Sequence, residues 1–284
     1  MPNQDKSKGY VLITGCSTGI GYSICHHLKQ NGYQVIASCR NISDVERLEA
    51  EGFTCVQLDL NNTESIRSGF NQAMKICSGE LYALVNNGAY GQPGAVEDLT
   101  RDALVEQFQT NVFGTQELTN LAIPVMRERG KGRIVQISSI LGFICLRFRG
   151  AYNASKYALE ALSDTLRLEL ANSGVHVSLI QPGPIESDFR PNALKHFKRN
   201  IDANNSYFAD IYSRVEKRLT TEKKARFTLP AEAVSKCVLH ALESSKPKIR
   251  YPVTKPTYIM AALKRILPDR LMDRVLMTSG DSDK

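Results

Sequence analysis

Short apolar runs alternate with longer amphipathic stretches along most of the chain. Runs at 10–13, 34–38, 54–58, 81–85, 132–137 and 175–180 are brief, apolar and rich in β-branched residues, which predicts buried strands. Between them, residues 22–30, 63–77, 101–129, 152–172 and 230–243 predict helices. Thr63 and Thr100 stand where N-caps belong, and Pro230 sits at a first helical turn. Residues 249–253 predict a short strand, placed at a sheet edge by Pro252. A last amphipathic stretch, 260–277, is broken at Pro268. Residues 188–226 are polar, charged and without clear periodicity, which argues against a rigid core element there. The alternation of strand and helix predicts an α/β fold with one doubly wound parallel sheet.

Composition narrows the class. The 284 residues are 42% hydrophobic, enough for one large domain with a full core. Residues 1–8 are polar and lack the apolar centre of a secretory signal, and no apolar run reaches membrane-span length. The seven cysteines are dispersed, without a C-x-x-C pair or clustering with the five histidines, so reduced thiols in a cytoplasmic protein are expected, with no metal. The net charge of +7 admits an anionic ligand, an anionic surface or nucleic acid. No nucleic-acid motif accompanies it, and the spread of basic residues at 195–199 and 214–226 predicts a solvated face instead. Lys264, Arg265, Arg270 and Arg274, set among Leu, Ile and Met, leave two readings for the tail: a lid or packing helix, or a weak contact with anionic lipid.

The chemistry starts where the first strand ends. Gly15, Gly19 and Gly21 separate it from a helix, and glycines there let backbone approach a ligand where a Cβ would collide. The free N–H groups of a helix start receive a pyrophosphate. Arg40 closes the second strand, where an NAD enzyme of this architecture carries an acid. A guanidinium there can grip a 2′-phosphate, or Arg40 is simply exposed. Asn111 and Gly114 interrupt a helical run, and a helix opened at Asn111 would free a carbonyl. Tyr152 and Lys156, four apart, share one helix face.

Thr14-Gly15-x-x-x-Gly19-Ile20-Gly21, Asn86-Asn87-Gly88-Ala89, Asn111, Ser139, Tyr152-x-x-x-Lys156 and Pro182-Gly183-x-x-x-Ser187 occur in that order. Together they resemble the short-chain dehydrogenase/reductase family, single-domain branch, over about residues 10–253. Gly88-Ala89 inverts the family's Ala-Gly, and Ser187 replaces its Thr. Within the family the chain is similar to bacterial NADP-dependent aldehyde reductases, as in the tail at 246–254 and 263–268, and that subgroup resembles retinol, hydroxysteroid and acyl-ketone reductases.

The resemblance implies a single Rossmann-type domain over 1–284: a core at 8–187, a substrate lid at 188–228 and an amphipathic extension at 255–284. It implies NADP(H) held by Gly15, Ser17, Thr18, Gly19, Ile20 and Gly21, with Arg40 at the 2′-phosphate. Asp59 would meet the adenine, or merely cap a turn, with Leu60, Asn87 and Gly88 beside the adenosine. Tyr152, Lys156, Pro182, Gly183, Ile185 and Ser187 would hold the nicotinamide half. Tyr152 would be the general acid/base, its pKa lowered by Lys156; Ser139 would steady the oxyanion and Asn111 would anchor a water leading to Lys156. Strand alternation selects Ser139 over Ser138. The Asn86-Asn87 pair also suits tying the central strands together. The expected substrate is an apolar aldehyde, ketone or alcohol. The expected assembly is a homodimer or homotetramer through the long helices after strands four and five. The rival readings are an NADP-binding sensor without turnover and a membrane-surface lipid reductase.

Overall fold

Seven parallel strands in the order β3-β2-β1-β4-β5-β6-β7 form the centre of the molecule. They are β1 (Tyr10–Ile13), β2 (Gln34–Cys39), β3 (Thr54–Gln57), β4 (Leu81–Asn86), β5 (Gly132–Ile137), β6 (Val175–Gln181) and β7 (Arg250–Pro252). The computed structural model describes residues 7–221 and 223–280. The helices are α1 (Gly19–Gln30), α2 (Ile42–Ala50), α3 (Thr63–Ile76), α4 (Arg101–Phe108), α5 (Thr115–Glu128), α6 (Gly150–Glu169), α7 (Phe189–Asn200), α8 (Ala209–Thr220), α9 (Glu232–Glu243), α10 (Lys255–Ile266) and α11 (Asp269–Gly280).

Strand alternation divides the core into two layers. Val11, Ile13, Val35 and Ala37 point to one face, against Ile24 and Leu28 of α1 and Val234 and Val238 of α9. Leu12, Ile36, Val56 and Leu84 point to the other, against Ile66 and Phe70 of α3 and Leu118 and Met126 of α5. Burying each such aliphatic side chain contributes about 1.5–3 kcal/mol. The sheet runs outward in both directions from the β1–β4 pair, so the chain reverses its winding there. The crevice at the carboxyl ends of those two strands is where such sheets bind ligands.

Two sequence expectations need correction, one is sharpened, and one helix was not foreseen. Asn62, not Thr63, caps α3: its backbone is extended and its side chain accepts from Ser65 N at 2.8 Å, while Thr63 is already helical. Helix α2 carries only two buried residues, Val45 and Leu48, too few to show a period in the sequence. The run at 101–129 opens where Asn111 and Gly114 interrupt it, and the opening is a π turn, Gln109–Gly114, between α4 and α5. The largest correction concerns 188–226. Helices α7 and α8 occupy most of it and bury Ala193, Phe197, Tyr212, Val215 and Leu219 with Ala95, Leu99 and Ala151 in a core of their own. Charges elsewhere on both helices hide that stripe in the sequence.

Tyr212 is the keystone of this small core: its hydroxyl accepts from Ala95 N at 2.9 Å and donates to Asp98. Tyr212→Phe strands the buried Ala95 N–H and a carboxylate bond, so a loss of about 1–3 kcal/mol is expected in urea unfolding, with the ring packing intact. An unchanged midpoint would show that these bonds are not what fixes α8.

The tail turns back on the body. Met260, Leu263, Leu267, Met272 and Leu276 of α10, α11 and their link pack on Leu141 and Ile144. No helix among the described residues is long and apolar enough to cross a membrane.

Candidate active site

The glycine turn after β1 is held by its neighbour β4. Thr14 Oγ1 accepts from Asn87 N and Gly88 N, each at 2.9 Å, and Asn87 Nδ2 donates to Thr14 O and Gly15 O, also at 2.9 Å. Gly15 takes φ +67°, and a Cβ there would lie 2.7 Å from Gly88 Cα, so only glycine fits. The inverted Gly88-Ala89 thus puts the residue without a side chain where the two loops touch. Asn86 instead donates to Thr119 Oγ1 at 2.8 Å, tying β4 to α5.

Thr18 is the N-cap of α1, its side chain makes no capping bond, and the first turn carries no acid. That end keeps its positive dipole and free donors, which suits an anion. Ile20 lies partly buried against the core beneath this turn. Ser17 O accepts from Arg47 Nη2 of α2 at 2.6 Å. Arg47 also pairs with Glu51 at 2.9 Å and Asp44 at 3.4 Å. Arg40 is exposed at the end of β2, and among the described residues no carboxylate pairs with it. Asp59 Oδ1 accepts from Asn61 N at 2.9 Å, which is the turn-capping alternative. Leu60 is buried, and its carbonyl would lie 1.8 Å from a Cβ at position 114. Gly114 is therefore a close-approach glycine in the π turn.

Ser139, Tyr152 and Lys156 meet where β5 ends above α6. Ser139 caps the short 3₁₀ turn Ile140–Gly142, its Oγ accepting from Leu141 N at 3.1 Å, and it hydrogen-bonds the Tyr152 phenol. Ser138 faces away, donating to Glu160 Oε1 at 2.6 Å. Lys156 is 3% exposed; Nζ donates to Ile137 O at 2.7 Å and lies 5.7 Å from the Tyr152 ring centroid.

The electrostatics run against the sequence expectation. Burial pushes the Tyr152 phenol up to about 12, opposed by the Ser139 hydrogen bond. Burial brings Lys156 down to about 8, opposed by the charge of Glu160. Lys156 Nζ is directed at a backbone carbonyl, and burial makes its charge costly there.

Asn111 lies in the π turn, 1% exposed. Its Nδ2 donates to Tyr90 O at 2.9 Å and to Ser155 Oγ at 3.2 Å, and its Oδ1 accepts from Tyr90 N at 3.1 Å. The side chain is spent on the loop after β4 and on Ser155 of α6.

The β6 loop completes the site. Pro182 O accepts from Ile140 N at 2.8 Å. Ile185 bridges to Leu229, and Ser187 Cβ lies 3.1 Å from where a Gly19 Cβ would stand. Gly183 packs on α10 instead: a Cβ there would come within 2.1 Å of Thr254 Oγ1. Above Tyr152 lies Phe189 of α7, edge-on with ring centroids 5.2 Å apart. Beside it are Leu141, Phe143, Leu146, Met260 and Met272. Sequence reasoning missed Arg47 and Glu160, and it placed Phe189 only among the aromatics of the lid. Only Glu160, four residues after Lys156 on the same face, had a readable signal.

This sheet, with its glycine turn at the winding reversal and the Ser-Tyr-Lys group above β5, defines a nucleotide-binding oxidoreductase scaffold. The profile of the short chain dehydrogenases matches residues 9–197, and the chain belongs to that family. It is 44% identical over 266 residues to the uncharacterized oxidoreductase YbbO of Escherichia coli K12, covering 94% of this chain and 93% of that one. It is 30% identical over 274 residues to the NADPH-dependent 3-dehydrocapnine reductase of Ornithobacterium rhinotracheale, covering 94% and 95%. A crystal structure of a short-chain dehydrogenase from Streptomyces avermitilis superposes with a TM-score of 0.74 at 25% identity, covering 92% of this chain and 96% of that one.

Proposed function

We propose that this oxidoreductase reduces apolar aldehydes or ketones with NADPH, with Tyr152 as the proton donor. The observation that carries the reading is the Tyr152 phenol, hydrogen-bonded by Ser139 and set in an apolar cluster with Leu141, Leu146 and Met272. The bare N-terminus of α1, the glycine turn and Ser187 beside Gly19 fit a dinucleotide across the crevice. Arg40 fits its 2′-phosphate, with Arg47 bracing the glycine turn through Ser17 O, and the 3-dehydrocapnine reductase is named as NADPH-dependent. When bound, the reduced nicotinamide supplies the hydride.

The chain's own residues do the rest. Tyr152 passes its proton to the carbonyl oxygen as hydride reaches the carbonyl carbon, yielding the alcohol. Ser139 donates to the same oxygen as negative charge develops. Lys156 would hold the nicotinamide ribose and pass a proton back to Tyr152, regaining one from solvent through a water held at the turn around Asn111. A phenol near 12 stays protonated at neutral pH and is ready to donate. Retention of both Tyr152 and Lys156 speaks against a turnover-free sensor.

Helices α7 and α8 would close the pocket from above as a packed lid, with Phe189 at its tip. The packing of α10 and α11 on residues 141–146 supports the wall reading of the tail over the membrane reading. Exposed Leu104 and Val105 of α4, Phe113 of the π turn and Leu168 of α6 support a homo-oligomer through those helices.

A series of linear aldehydes tests the reading. Each buried methylene adds about 0.8 kcal/mol, so kcat/KM with NADPH should rise about fourfold per carbon until the pocket fills. A flat series, or preference for a sugar or phosphorylated carbonyl, defeats the apolar pocket. In the latter case exposed Arg147 would be the first residue to suspect.

A further inference from the structure

Glu160 is a buried acid, 7% exposed, that the proposed chemistry does not use. It stands one turn past Lys156 and two past Tyr152 on the inner face of α6. Its carboxylate collects partners from three strands. Oε1 accepts from Ser138 Oγ of the β5 end at 2.6 Å and from Gln181 Nε2 of β6 at 2.9 Å. Oε2 pairs with Arg250 Nε of β7 at 2.9 Å. Arg250 also binds Asp164 Oδ2 at 2.6 Å, and Asp164 binds Arg167 at 3.4 Å. The 3₁₀ turn after Ser139 rests on the same group: a Cβ on Gly142 would lie 2.7 Å from Ser138 Oγ and 3.2 Å from Glu160 Oε1.

We propose that Glu160 is a positioning residue for the proton relay: it anchors the strand end that presents Ser139 and supplies the counter-charge that keeps Lys156 an ammonium. The first role follows from connectivity. Ser138 and Ser139 are adjacent, so fixing Ser138 downward fixes Ser139 upward. Gln181 precedes Pro182, whose carbonyl accepts from Ile140 N, so the same carboxylate braces both loops at the reaction centre.

The second role follows from the charges present. Lys156 lies between Tyr152 and Glu160 on the buried side of α6, one turn from each, donates to Ile137 O of β5, and makes no ion pair within 4.0 Å among the described residues. Glu160 in turn faces Lys156, Arg250 from β7, and the neutral Ser138 and Gln181. Arg250 is shared with Asp164. A buried carboxylate is costly unless paired and hydrogen-bonded, and here each oxygen is satisfied. The burial that brings Lys156 to about 8 is opposed by this charge.

The inference rests on the proposed role of Lys156 only for its kinetic consequence; the titration can be read without turnover. The experiment follows the Lys156 side chain by NMR of Cε-labelled lysine, assigned with Lys156→Arg, in the full chain without added ligand. Glu160→Gln should lower the midpoint by about one unit. Arg250→Met should raise it, because Glu160 loses its competitor. Glu160→Asp should fall between Glu160→Gln and the unaltered protein. Opposite signs in the two variants are what a merely structural role would not produce. In parallel, the basic limb of kcat/KM for decanal reduction should move in the same directions, with NADPH affinity, read by cofactor fluorescence, within about twofold. Equal or same-direction midpoints in Glu160→Gln and Arg250→Met overturn the proposal. Should Glu160→Gln not fold, Arg250→Met and Glu160→Asp decide it by the same signs. If the NMR midpoints separate while decanal is not reduced at all, the fault lies with the functional reading and not with this network.

Discussion

Tyr152→Phe is expected to cut kcat by about 10³- to 10⁴-fold, the worth of a positioned proton donor, while NADPH binding is retained. The substitution is clean because the ring's surroundings are apolar: Phe189 edge-on above and Leu141 and Met272 beside it. Ser139 keeps its bond from Leu141 N and loses only its partner on the phenol oxygen. The proposed phosphate contacts at the glycine turn do not use that oxygen. The comparison variant is Ser139→Ala, for which about 10²- to 10³-fold is expected, the usual cost of removing one oxyanion donor. Pre-steady-state mixing with NADPH, with cofactor fluorescence as the binding readout, checks both. A tenth or more of the original kcat in Tyr152→Phe would move proton donation to another group. A Ser139→Ala effect larger than that of Tyr152→Phe would reverse the proposed division of labour.

The ease of reading the fold from sequence follows the spacing of its signals. Strands β1, β4, β5 and β6 are short apolar runs buried on both faces, and the turns after them carry glycine, asparagine or proline, so element and order could be read together. Asn111 and Gly114 broke helix rules, and a π turn lies there, because Gly114 must pass the Leu60 carbonyl. Helices α7 and α8 were illegible for a different reason. Their buried residues are few, aromatic in part, and diluted by Lys and Arg, so net polarity masked the spacing of Tyr212, Val215 and Leu219. Electrostatics were misread because they depend on depth. Tyr152 and Lys156 share a face as their spacing requires, but the same burial that brings them together raises one pKa and lowers the other. Arg47 could not be read at all: its approach to Ser17 depends on how α2 lies over the glycine turn.

That unforeseen guanidinium bears on the second large effect, cofactor choice. Arg40 and Arg47 stand on either side of the β2–α2 junction, yet they are not equivalent. Arg47 divides its charge between Asp44 and Glu51 and is fastened to the Ser17 carbonyl. Arg40 is exposed and, among the described residues, without a carboxylate partner, so it is the one free to grip a 2′-phosphate. A charge-assisted contact is worth about 1.5–3 kcal/mol, so Arg40→Asp should raise the KM for NADPH ten- to hundredfold. The new carboxylate would then accept from the ribose hydroxyls of NADH and improve its use. Arg47→Gln should cost less, about three- to tenfold, and should also loosen the glycine turn, so it weakens NADH and NADPH alike. The two variants therefore separate a phosphate contact, which shifts the NADPH/NADH ratio, from a positioning contact, which does not. Because Arg40 meets solvent, the preference for NADPH should also shrink as ionic strength rises toward a Debye length of about 3 Å. Steady-state KM values for both cofactors, at low and high salt, decide the matter. Equal use of NADH and NADPH by the unaltered enzyme, or a ratio that Arg40→Asp leaves unmoved, would remove Arg40 from the phosphate site.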